Sequence, residues 1–368
     1  MSKHKVLINL SNIKTGGAKQ VAKSFLLDLV KMGSSAPSFD LLLPDTFNEM
    51  KQKLHNSTLK VISYNSNGFS LLSDLESIQK KYDLVFTLFG PKYTFMKAKI
   101  DIVGFAQSNI LYPEVQSEVE SNMKERLLSK LKYFIQKRFF QKADHIVVEL
   151  NHVKIGVQEK LGFNPNSISV VKNTISNAFT NPDLNALKID ECRKIKIGYI
   201  TKDYPYKNIK ILPKVAQILN KDFGMSVKFY LTLAPNEWKN HSLHFGKHGV
   251  SVGEINEEAC PSFYHQMDAI IFPSLIESFS AVPLEAMYMN KALFASDRNF
   301  VREICSENAI YFDPKNPYEI SKKIYDYFKK PNNNISTRKY AMQFPSSMMR
   351  TKEYLGIINK HVSQLNKD

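Results

Sequence analysis

The chain has 368 residues, 43% of them apolar, a formal net charge of +15 and three cysteines. That length supports two domains with substantial cores. Among function classes, a membrane-spanning protein is excluded by the lack of any long apolar run, and a disulfide scaffold or zinc module by cysteines that are few, odd in number and without metal-ligand spacing. The positive charge asks for an acidic partner: nucleic acid, anionic lipid or nucleotide phosphates. Without zinc spacing, basic-region heptads or an RNP-like aromatic motif, nucleic acid rests on charge alone and is not expected. The first ten residues turn polar too quickly for a signal peptide, so cytoplasmic residence is the expectation.

In chain order, Val6-Leu-Ile-Asn-Leu10 predicts a buried strand, 11–15 a loop, Gly16-Gly17 a tight turn and 18–32 an amphipathic helix. The glycine pair lacks the G-x-G-x-x-G fingerprint, and Lys14-Thr-Gly-Gly17 is no P-loop. Strands follow at 39–43, 59–62, 84–88, 102–106 and 145–149, with helices near 71–80 and at 151–161 ending at Gly162. Such alternation marks a parallel sheet covered on both faces. Ligands of these sheets gather at the C-terminal ends of the strands, which brings forward Gly16, Gly17 and the loop Gln107-Ser108-Asn109. Those side chains suit sugar hydroxyls, and equally a polar loop with no such duty.

The segment 122–142 interleaves Lys124, Arg126, Lys130, Lys132, Lys137, Arg138 and Lys142 with Leu127, Leu128, Leu131, Phe134, Ile135, Phe139 and Phe140. At helical spacing the apolar set makes a stripe that either packs on the sheet, leaving the cations wet, or rests on anionic lipid as a peripheral membrane contact.

A stretch rich in Asn, Asp and Pro at 176–193 predicts a linker between an N-terminal domain, 1–175, and a second one, 194–345. The second repeats the alternation: strands at 195–200, 227–231, 269–272 and 292–295, helices at 208–219, 257–264, 283–289, 301–305 and 317–330. The expected fold class is therefore α/β, with two Rossmann-like domains facing each other across a cleft, a favoured place for ligands. A final helix, 346–365, closes the chain.

The densest stretch is Phe272-Pro-Ser-Leu-Ile-Glu277-Ser278-Phe279-Ser280-Ala281-Val282-Pro283-Leu-Glu285-Ala-Met287. A buried strand ends, a polar turn follows, and Pro283 opens a helix whose first-turn N–H it does not need. The amides of Ser278 to Val282 then lie at the positive end of a helix dipole, a setting for a phosphate or a sugar. Read singly, Glu277 is a solvated loop residue and Glu285 an ordinary first-turn carboxylate. Earlier in the same half, Lys207 stands just before a helix start, suited to a phosphate.

Taken together, Glu277, Phe279, Pro283, Glu285 and Ala286 resemble the E-x7-E signature of retaining glycosyltransferases of the GT-B fold, family 4 or group 1 type. The resemblance covers about residues 195–330 and implies a nucleotide-sugar donor, UDP- or GDP-linked, and a glycan or lipid-linked acceptor in bacterial cell-surface polysaccharide synthesis. It implies that Glu277 meets the donor sugar, Glu285 the ribose, and the amides of Ser278, Phe279, Ser280, Ala281 and Val282 the sugar and phosphate. It further implies that Gly253, Glu254 and Ile255 line the base, that Lys207 with Lys202 offsets charge on the departing diphosphate, and that no metal cofactor is needed. Gly16, Gly17, Gln107, Ser108 and Asn109 fall on the acceptor side, and the terminal helix, 346–368, returns towards the first domain. Two departures stand out: Lys202 replaces the family's arginine, and Gln107–Asn109 stand where many members carry a histidine. A degenerate GT-B protein that binds a nucleotide or glycan without transfer, and a nucleotide-sugar epimerase of similar fold, remain the alternatives.

Overall fold

Short runs of aliphatic residues, buried on both faces, set the architecture, because only parallel strands covered by helices bury continuous apolar runs. The computed structural model describes residues 4–33, 38–55, 59–64, 77–94, 97–119, 122–190, 192–330 and 336–367, and the helix expected at 71–80 falls mostly outside them. The first half runs β1 (Val6–Asn9), α1 (Gly16–Met32), β2 (Asp40–Pro44), α2 (Asn48–His55), β3 (Lys60–Tyr64), β4 (Leu84–Thr87) and β5 (Ile100–Gly104). It continues with α3 (Pro113–Val119), α4 (Met123–Phe140), β6 (His145–Val148), α5 (Asn151–Leu161) and β7 (Ile168–Val170). The second half starts with β8 (Ile195–Tyr199), α6 (Leu212–Asp222), β9 (Val227–Leu231), β10 (Gly249–Ser251), α7 (Cys260–His265) and β11 (Ala269–Phe272). It ends with α8 (Ala281–Tyr288), β12 (Ala292–Ser296), α9 (Asn299–Cys305), β13 (Ile310–Phe312), α10 (Pro317–Lys329) and α11 (Ser347–Leu365).

Every described strand pair is parallel, in two sheets of order β3-β2-β1-β4-β5-β6-β7 and β10-β9-β8-β11-β12-β13. Each order reverses direction once, between β1 and β4 and between β8 and β11. In open α/β sheets such a reversal separates the loops that follow the two strands and leaves a crevice at their C-terminal ends. The close approach in the first sheet is visible at Gly104, where an added Cβ would meet the Leu88 carbonyl oxygen at 1.9 Å.

The chain divides into two compact units, one of residues 1–113, 123–174 and 345–368, the other of 114–122 and 175–344. In the first, Tyr354, Leu355 and Ile358 of α11 join the core around Phe25 and Phe86. A polar latch holds the same helix: the Arg350 guanidinium donates to Asn173 Oδ1 and Ser24 Oγ, and Asn173 Nδ2 donates to Glu149 Oε1 at 2.8 Å. Thr351 Oγ1 donates to Asp28 at 3.0 Å from the same side. Burial pushes the Glu149 carboxyl up to about 7, against the pull of Arg350.

Two local expectations are corrected. Gly16 and Gly17 do not form a separate turn but open α1, where Gly16 sits at φ +71°, a conformation that suits glycine. The expected linker, 176–193, lies along α7 at residues 184–189: Ser262 Oγ donates to the Leu184 and Leu187 carbonyls at 2.8 and 2.9 Å, and Ile189 N donates to Gln266 Oε1 at 2.9 Å. Backbone polar groups of Leu184, Leu187 and Ile189 thereby find partners on that helix. Finally, the apolar stripe of α4 does not pack on the sheet. The helix buries Gln136 and Phe140 instead and leaves Leu127, Leu128, Leu131, Phe134 and Ile135 exposed.

Candidate functional site

The loops that follow β8 and β11 meet at the reversal point of the second sheet. They are stitched together by Leu275 N donating to Tyr206 O at 2.8 Å, and by Asn208 Nδ2 donating to the carbonyls of Pro273 and Pro314 at 3.3 and 2.7 Å. Asn208 holds a left-handed conformation, φ 57°, which asparagine tolerates better than most residues with a Cβ. That turn ends the short 205–207 helix and starts the next, so Lys207 is fixed at a sharp corner. Tyr199 at the end of β8 completes the frame, its hydroxyl donating to Lys207 O at 3.1 Å and lying 3.0 Å from Ser274 Oγ.

On this frame Lys207 Nζ donates to Glu277 Oε1 at 2.7 Å, with the two side chains only 12% and 11% exposed. The ammonium also lies 5.8 Å from the ring centres of Tyr206 and Phe272. In so dry a setting the pair interacts far more strongly than a surface ion pair. Three residues after Glu277, Ser280 caps α8 without a side-chain hydrogen bond, which leaves the helix start without a side-chain cap among the described residues. Ser278 is buried nearby, and its Oγ has no partner among the described residues. A cation, a carboxylate, an open helix start and an unsatisfied hydroxyl therefore converge. Together they provide positive potential and donors for an anionic group next to a carboxylate acceptor for hydroxyls.

Glu285 lies one turn into α8, buried, and reaches α7, where Tyr264 OH donates to its Oε2 at 2.7 Å. Desolvation pushes its carboxyl up to about 7, and the Tyr264 hydrogen bond only partly offsets this. Gly253 stands at φ +85° with its amide on Ser251 Oγ at 3.1 Å, and the exposed Glu254 carboxylate pairs with Lys202 Nζ. Ile255 follows, half-buried.

In the first unit, Gly16 and Gly17 have open space where side chains would project, at the C-terminal end of β1. Gln107 precedes a one-turn helix, Ser108–Leu111, after β5, with Ser108 half-buried. Asn109 is partly committed within the fold, its Nδ2 donating to Tyr133 OH at 2.8 Å.

Sequence reasoning did not anticipate Tyr264, Tyr199 or the anchor of the 201–208 loop. There His241 Nε2 lies 2.7 Å from Asp203 Oδ1, and Glu237 accepts from Asp203 N at 3.3 Å and Ala234 N at 3.0 Å. Only Asn208, following Lys207, carried a local signal, since asparagine is among the few residues suited to a left-handed corner.

Residues 186–344 match the family described as "Glycosyl transferases group 1". That match covers less than half of the chain, and the chain as a whole shares the GT-B fold of the solved glycosyltransferases it superposes on. A glycosyltransferase from Rickettsia africae superposes with a TM-score of 0.69 at 15% identity, covering 98% of this chain and 99% of that one. WaaG, a glycosyltransferase involved in lipopolysaccharide biosynthesis, superposes with a TM-score of 0.68 at 10% identity over 96% and 99%. The O-antigen chain mannosyltransferase RfbU of Salmonella typhimurium is 22% identical over 200 residues, 49% of this chain and 52% of that protein, so the chain spans about half the length of the curated relative it matches.

Proposed function

We propose that this chain is a retaining glycosyltransferase that moves a sugar from a UDP- or GDP-linked donor to a glycan or lipid-linked acceptor in the synthesis of a bacterial cell-surface polysaccharide. The observation that carries the reading is the Lys207–Glu277 pair beside the open start of α8, at the reversal point of the second sheet. In this reading the donor diphosphate takes the Lys207 ammonium and the α8 amides, which releases Glu277 to accept from the sugar hydroxyls. Lys202 adds a second, more exposed cation. Glu285 accepts from the ribose hydroxyls, and Gly253, Glu254 and Ile255 line the base. Lysines and helix amides supply the positive charge, so no metal enters. Gly16, Gly17, Gln107, Ser108 and Asn109 belong to the acceptor side. The polysaccharide assignment draws on the names of RfbU and WaaG, and a cytoplasmic location fits a nucleotide-sugar donor.

Transfer is tested by incubating the protein with UDP- and GDP-linked hexoses and an acceptor panel, with the anomeric configuration of the product read by proton NMR. Retained configuration is expected. Binding without transfer or hydrolysis would favour a degenerate binder, and an altered donor sugar with no acceptor present an epimerase. Glu285 makes the donor site separately testable. Its carboxylate form is the better acceptor, so calorimetric donor affinity should rise with pH through about 7, where burial places this group. Glu285→Gln keeps an acceptor for Tyr264 but should bind more weakly and lose that component of the pH dependence. Equal affinity of the two proteins at pH well above that value removes Glu285 from the ribose role.

A further inference from the structure

We propose that α4 is an interfacial helix that seats the protein on an anionic lipid surface. This goes beyond the glycosyl-transfer reading and does not depend on it. Among the described residues, half of the exposed large hydrophobic side chains lie on this one helix: Met123, Leu127, Leu128, Leu131, Phe134 and Ile135, each 45 to 80% exposed. At 3.6 residues per turn they fall within an arc of about 140°. The opposite arc is bolted to the first unit: Gln136 and Phe140 are buried, Gln136 Nε2 donates to Tyr93 OH at 2.7 Å, and Tyr133 OH accepts from Asn109. The apolar arc therefore points directly away from its own domain.

Charge decides what covers it. The helix carries six lysines and arginines against one carboxylate, Glu125. By the helical period, Arg126, Lys130 and Lys137 flank one edge of the arc and Lys132 the other, while Lys124 and Arg138 rise within it. The Arg138 guanidinium lies 5.2 Å from the Phe134 ring centre, which keeps it beside the apolar surface. Towards the C-terminal end, Phe139 and Lys142 border a cavity of about 320 Å³ whose Lys92 and Lys97 are paired with Asp101 and Asp144. A second copy placed face to face would bring two such basic helices together, and like charges oppose that contact. An anionic bilayer satisfies both features at once, taking the apolar side chains at the acyl boundary and the cations at the headgroups. No helix among the described residues is long and apolar enough to cross a membrane, so the contact lies in the plane of the surface.

The test is flotation of the full chain with vesicles of phosphatidylcholine alone or with about one-third phosphatidylglycerol. Retention should be about tenfold or more greater on the anionic vesicles and fall with added salt. The double substitution Leu128→Ser and Leu131→Ser, at exposed positions that leave the fold intact by thermal melt, should abolish it. As an independent readout, the added indole fluorescence of Leu131→Trp should be quenched by lipids with brominated acyl chains. No retention on anionic vesicles at low salt overturns the proposal. So does retention that the double substitution leaves unchanged, or a dimer in sedimentation that the double substitution dissolves.

Discussion

Replacing Lys207 by alanine should lower turnover by about two orders of magnitude, because a preorganised cation aimed at developing charge in a dry site supplies several kcal/mol of transition-state stabilisation. The substitution removes little else. Tyr199 OH holds the Lys207 main-chain carbonyl, and the left-handed corner belongs to Asn208, so the loop keeps its path when the side chain is shortened. The ammonium meets Glu277 at 2.7 Å in the free protein, and under the proposed reading the departing diphosphate competes for it. The loss should therefore fall mainly on kcat, where transition-state charge is felt, and less on donor KM. Lys202→Ala should do less, because that side chain is half-exposed and its partner Glu254 is too. Steady-state kinetics of both variants decide the matter, and wild-type turnover in Lys207→Ala removes that residue from catalysis.

Arg350→Ala should cost about 3–5 kcal/mol of stability, the range for breaking a buried charged network by removing one partner. The side chain is almost wholly buried and serves two acceptors, Asn173 and Ser24, and through Asn173 it steadies Glu149. Truncation takes a donor from Asn173 and Ser24, removes the positive charge near Glu149, and leaves α11 with the Thr351 and Ser347 contacts to Asp28 as its remaining polar anchor among the described residues. Urea denaturation measures the loss, and limited proteolysis should release the terminal helix first. The network also sets a pH dependence. Glu149 titrates near 7 when folded and near 4.5 when free, so the folded state holds the extra proton between those values. Its contribution to stability is present below about 4.5 and is lost as pH rises through about 7. Glu285 acts with the same sign in the second unit. Glu149→Gln should flatten its part of that slope, and an unchanged slope would mean the carboxyl is ionised throughout.

Both sheets were legible because their strands are short, mostly apolar runs: Val227–Leu231 and Ala269–Phe272 fall where the pattern put them. Asn151–Leu161 ends at Gly162, in the left-handed conformation that a terminal glycine allows. Gly249–Ser251 was missed because three half-buried residues carry no period. The contacts of 184–189 with α7 were not legible for a different reason. The segment's composition favours loops, and nothing local reveals that Ser262 and Gln266 wait for its backbone groups. Amphipathicity showed that α4 has an apolar side but not which way that side faces, since orientation depends on what the rest of the chain offers. Among candidate site residues, Lys207 and Glu277 were marked by sequence context and stand together in the structure. The Tyr264 hydrogen bond to Glu285 joins residues on different helices and has no signature in either segment.

The most direct test is a calorimetric titration of the wild-type chain, Lys207→Ala and Glu285→Gln with UDP, GDP and their hexose derivatives. The proposed donor site predicts saturable one-to-one binding of one base series by the wild type, about tenfold or greater weakening in Glu285→Gln, and a smaller loss in Lys207→Ala. No binding of any nucleotide, or an affinity that neither substitution alters, would contradict it.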